Sequence, residues 1–238
     1  MNSPLSVPPI RPQYVATWLG MSVFLTAVHI VADSMLGRTD VSIGPWTTLV
    51  SHTLSNVLFA AALVGVTILI RVDRGQVGTR WQPGHWLLIN LCVTGLMSFA
   101  YSFVLRSEGL KTIGIMLVAA ACSLFSAGLF WLAHRRQEAA DPWKGVFTVF
   151  AVTHLLVATV DLCMALPKNE LVGAISMLLL LPTLFCGILA LIYFVAAILR
   201  DYRGRVGRDW LHWVGVIIVA ISPLTNLFWM LGRRFALP

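Results

Sequence analysis

Of ten acidic residues in this chain, only Asp33 and Asp161 fall well inside long apolar stretches, and no lysine or arginine does so. A carboxylate at the centre of a membrane-spanning helix costs about 2.5–3.5 kcal/mol on insertion scales, so such positions call for a partner or a function. Each aspartate has a histidine on its own helical face: His29 precedes Asp33 by four residues, and His154 precedes Asp161 by seven. Imidazole titrates near neutral pH, and a desolvated carboxyl can be raised toward that range. Acid–imidazole pairs in hydrocarbon can therefore relay protons, hold a cation, or simply tie helices together. His52 and Asn56, again four apart, together with Tyr101 and Asn226, supply further polar groups. The candidate solute- or proton-binding set is His29, Asp33, His52, Asn56, Tyr101, His154, Asp161 and Asn226.

Several chemistries use such a set. Proton- or cation-coupled translocation needs titratable groups between two moving halves, and both aspartates suit that role. A b-type haem needs two axial imidazoles, for which His29 and His154 are the first couple and His85 and His212 a second. The second couple sits beside tryptophan at a predicted water boundary, where a His-Trp pair is expected to be an interfacial anchor. Zinc hydrolysis needs three protein ligands and an open position, which His29, His52 and His154 could provide. The seven-span receptor and ceramidase hydrolases carry a His-x-x-x-His pair in the last span, and here that span has only His212. Seven-span retinal proteins need a lysine in the last span, and none is present. Nucleophile-elbow, Walker, dinucleotide and His-Glu-x-x-His motifs are all missing, so the reading leans away from an enzyme.

The elements that position these residues follow from composition. The chain has 238 residues, 58% hydrophobic and only 11% charged, whereas a soluble domain carries about a quarter charged. Apolar runs of about 18 residues or more read as spanning helices, since unpaired backbone amides are too costly in lipid. Seven such spans are expected, at about 14–36, 47–70, 84–105, 112–133, 145–166, 171–199 and 210–231. Runs such as Leu178–Leu181 lack the period-two alternation of a barrel. Cys92, Cys122, Cys163 and Cys186 all lie in spans without paired ligand spacing and read as small core residues.

The chain also repeats itself. Arg71, Arg74, Gly75, Val77, Gly78 and Trp81 return as Arg200, Arg203, Gly204, Val206, Gly207 and Trp210, all at an offset of 129. His29 and His154 precede these loops in order, and His85-Trp86 and His212-Trp213 follow them. Spans one to three thus resemble spans five to seven, with span four as a linker. The predicted divisions are a tail over 1–13, a three-helix repeat over 14–106, a linker helix over 107–135 and a second repeat over 136–238. Parallel repeats of this kind place their site between the copies. The plan is similar in layout to the SWEET and PQ-loop families, although no Pro-Gln pair lies within a span.

Eleven of the 17 basic residues fall at the N-terminus and in the second, fourth and sixth loops. That bias predicts a cytoplasmic N-terminus and an exterior C-terminus in an inner plasma membrane. The net charge of +7 is then a topology signal and not a nucleic-acid footprint. The expectation is an all-α, seven-helix membrane protein with a 3+1+3 repeat and an outward-facing His/Asp pocket for a small solute or ion. Haem b binding is one alternative. A non-catalytic partner-binding, immunity or assembly membrane protein is the other, and the partners expected are the lipid bilayer and a second copy of the chain or another membrane protein.

Overall fold

In a computed structural model, the described residues are 6–35, 45–74, 81–104, 111–166, 170–204 and 206–235. Side chains at 32–35, 45–49, 51, 98, 100–104, 111–112, 170 and 223–235 lie outside that description. Among the described residues the chain forms seven α-helices and no strand. They are α1 (Pro12–Met35), α2 (Pro45–Asp73), α3 (Pro83–Val104), α4 (Lys111–Arg136), α5 (Trp143–Ala165), α6 (Glu170–Arg203) and α7 (Trp210–Phe235).

Local chemistry explains the ends. Proline opens α1, α2 and α3, where its missing N–H costs nothing and its fixed φ suits the first turn. At the other end of α6, the Gly204 amide donates to the Arg200 carbonyl and closes the last turn. Hydroxyls within the apolar helices turn inward on their own backbone. Ser22 donates to Trp18, Thr67 to Leu63, Thr153 to Val149 and Thr183 to Leu179, each to the carbonyl four residues back. Such bonds let a polar side chain sit in hydrocarbon without an unsatisfied donor.

Over their described residues, α1, α2, α4, α5 and α6 are long and apolar enough to cross a bilayer. The apolar described stretch of α7 runs from Trp210 to Ser222. Leu178 and Leu181 on α6 are 76% and 77% exposed, so the medium around that helix must be hydrocarbon if burial is to stabilise the fold. This is the architecture of a multi-pass helical membrane protein.

The chain divides into two compact units, Met1–Cys92 with Asp209–Pro238, and Val93–Arg208. In the first, α1 packs on α2 and α2 on α7. Its core joins Ala62, Ile68 and Leu69 of α2 to Leu88 and Cys92 of α3 and to Leu211 and Ile218 of α7. In the second, α5 lies between α4 and α6. Phe130 stacks on Phe147 at 5.9 Å and meets Phe150 edge-on at 5.2 Å, while Trp143 meets Phe194 edge-on at 5.7 Å. Within this unit α4 packs closely along α5.

Candidate functional site

A polar seam runs between α1 and α2. Ser22, Thr26 and His29 recur at spacings of four and three on α1, and His52 and Asn56 at four on α2, so each set forms one stripe. The stripes meet. The His29 and His52 rings stack with centroids 4.9 Å apart and planes 21° from parallel. Towards the start of α1, Asn56 Nδ2 donates to Thr26 Oγ1 at 3.5 Å, and Trp18 Nε1 donates to the Val57 carbonyl at 3.0 Å. Asn56 is buried and both histidines are half-buried. Three predicted site residues, His29, His52 and Asn56, are thus brought together in the first unit.

His154 and Asp161 belong to the second unit, on α5. They are two turns apart on one face, about 10 Å along the axis. His154 Nδ1 donates to the Phe150 carbonyl at 2.8 Å, and its ring packs against Phe130 at 5.3 Å. Donation through Nδ1 leaves the Nε2 lone pair directed away from the helix backbone. Asp33, Tyr101 and Asn226 lie in α1, α3 and α7, with side chains outside the described set. The four cysteines are free thiols, and no group of three metal-ligating side chains gathers among the described residues.

The most connected polar cluster lies elsewhere, where α3 and α7 begin. Both His85 and His212 are fully buried. Gln82 and Asp209 immediately precede the two helices, with His85 and His212 three residues further on. Those are the cap and third helical positions, which cap each other when their side chains are polar. The Gln82 amide donates to His85 Nδ1 at 3.1 Å, and the His212 amide donates to Asp209 Oδ1 at 2.8 Å.

The two helices then exchange bonds. The Gly84 amide donates to His212 Nδ1 at 2.9 Å, the Asp209 amide to Gln82 Oε1 at 2.9 Å, and His85 Nε2 to Asp209 Oδ1 at 3.0 Å. Since Nδ1 of each imidazole accepts, both rings carry their proton on Nε2. Four amides that helix starts would leave orphaned are satisfied in a buried place. Burial pushes the Asp209 carboxyl up, but the hydrogen bonds from His85 and the His212 amide outweigh it and hold it below the usual carboxylate range. Glycine permits the approach: a Cβ on Gly84 would overlap the His212 backbone, and one on Gly215 the Gly84 carbonyl.

The second unit has its own polar tie. Arg208 donates through Nε and Nη2 to the two oxygens of Asp201 at 2.9 and 3.2 Å, and through Nη2 to Asp141 at 3.4 Å. Trp143 Nε1 donates to Asp201 at 2.8 Å. Burial alone would lower the Arg208 guanidinium, and the two carboxylates raise it above its ordinary value. Spacing was a usable signal for the α3–α7 cluster, since Gln82/His85 and Asp209/His212 are three apart. Nothing in spacing pointed to Asp201, which meets partners 58 residues before it and seven after it.

No family model, no curated protein and no solved structure matches this chain.

Proposed function

We propose that this multi-pass membrane protein moves a proton or small cation, coupled to a small solute, using His29, His52, Asn56 and the span aspartates Asp33 and Asp161 as its polar and titratable groups. The observation behind this reading is the His29–His52 stack between two apolar helices. Two imidazoles held between apolar helices bring together the ring nitrogens that a passing proton or cation needs, where lipid offers none. In the proposed arrangement seven helices cross the membrane as a 3+1+3 repeat, with a cytoplasmic N-terminus and the His/Asp groups reached from the exterior. The recurring Arg-Gly loops and the basic bias of alternate loops support it.

Reconstituted liposomes with an internal pH dye test the reading. An imposed pH gradient should dissipate through the wild type, at least tenfold faster than through His29→Gln, His52→Gln, Asp33→Asn or Asp161→Asn. Wild-type flux equal to that of empty liposomes, with a panel of solutes and cations supplied, would remove it. One observation favours haem b as a second reading. His154 donates through Nδ1 to a carbonyl and leaves Nε2 open, which is how an iron-ligating imidazole is held. Purified protein with a Soret band lost in His154→Ala would establish that reading instead.

A further inference from the structure

Within the first unit, α1, α2 and α7 leave an apolar groove of about 490 Å³ between them. That volume is within the range of small-molecule sites, about 300–1,000 Å³. Val15 of α1, Leu58 and Val64 of α2, and Val214 of α7 typify its wall. The two indole N–H groups in the wall are already committed, Trp18 to Val57 and Trp210 to the Pro8 carbonyl.

Its length is informative. The lining runs from Trp210 to Ile221 on α7 and from Gly65 to Leu54 on α2, eleven residue steps on each. At about 1.5 Å per residue that is about 16 Å, half of a hydrocarbon core about 30 Å thick. One leaflet has that depth.

Charge identifies the end from which the groove is filled. Ile10 and Tyr14 line the groove where Tyr14 stacks on Trp210, at 6.3 Å. Arg11, exposed, stands between them in sequence. The His29–His52 and Trp18–Val57 contacts make α1 and α2 antiparallel. Arg71 and Arg74, also exposed, therefore lie at this same end, with Arg71 six residues, about 9 Å, beyond Gly65. The nearby acids are engaged, Asp73 by Trp81 Nε1 and Asp209 by His85.

We infer that the groove holds one acyl chain of an anionic phospholipid, whose headgroup is bound by Arg11, Arg71 and Arg74. An arginine near an anionic lipid surface is worth about 1 kcal/mol, about fivefold in affinity, and three together set the headgroup preference.

Phosphatidylglycerol bearing a diazirine in its acyl chain, added to the full-length protein in neutral detergent, tests this. Photolysis and peptide mapping should place adducts on residues 54–65 and 214–221 at several times the level on residues 178–181 of α6, whose bare leucines report background. Unlabelled phosphatidylglycerol should compete at least tenfold better than phosphatidylcholine or palmitate. Arg11→Gln, Arg71→Gln and Arg74→Gln combined should abolish that preference. Groove labelling no higher than on α6 overturns the site. Equal competition by phosphatidylcholine overturns the anionic headgroup, and equal competition by palmitate overturns the phospholipid. The wild-type competition decides these points even if the triple variant does not fold.

Discussion

At the scale of single residues, Asp209 shows how much one side chain can satisfy. It caps α7 and accepts from a fully buried histidine. Losing a cap costs about 0.5–2 kcal/mol, and losing a charged hydrogen-bond partner about 1.5–3 kcal/mol. Asp209→Ala should therefore lower stability by about 2–5 kcal/mol, and Asp209→Asn by less, because the amide oxygen still caps; thermal unfolding in detergent reads both. The pH dependence has a definite sign. The folded carboxyl titrates below its unfolded value, so its contribution is complete above about pH 4 and fades as pH falls through the folded pKa. The wild-type advantage over Asp209→Asn should shrink on acidification from pH 5 to pH 3. In the second unit, Asp201→Ala removes the acceptor of Trp143 Nε1 and leaves Arg208 with Asp141 alone, and should cost about 2–4 kcal/mol by the same measurement.

Between elements, the α3–α7 crossing rests on two residues without side chains. Gly84→Ala and Gly215→Ala each drive a methyl into the partner helix backbone, and overpacking of that kind costs about 1–3 kcal/mol or more. Gly128 on α4 and Gly187 on α6 are the controls, since a Cβ there meets nothing within 4 Å. Alanine at either should instead stabilise by about 0.5–1 kcal/mol through helix propensity. Opposite shifts in melting temperature between the two pairs would confirm the distinction; equal shifts would show that the crossing is not tight. Residue spacing alone does not single out Gly84 or Gly215. A close approach depends on which helix lies opposite, and Gly84 meets residue 212, far along the chain.

For the whole molecule, the proposed topology makes a direct prediction. Ser6→Cys, in a background without the native cysteines, should react with an impermeant maleimide in inverted vesicles and not in intact cells. The reverse pattern would place the N-terminus outside and turn the arginine end of the first unit to the other leaflet. Lipid around α6 is equally testable: its exposed leucines should give brominated acyl chains ready access to tryptophans placed there, as Leu178→Trp and Leu181→Trp, with strong quenching.

What the amino-acid order determined by itself was the solvent and the segmentation. Hydrocarbon demands long runs with few charges, and proline and Arg-Gly turns mark their limits, so all seven helices were legible before any contact was known. Helical spacing also placed Asn56 one turn from His52, and His29 one turn from Asp33. Tertiary structure alone decided which stripe faced which. An apolar helix is hydrophobic on every side, so its sequence leaves its rotation open. Only packing turned His29 onto His52, drew His85 and His212 into one buried cluster, and set Leu211 against Gly65 at the edge of a groove one leaflet deep.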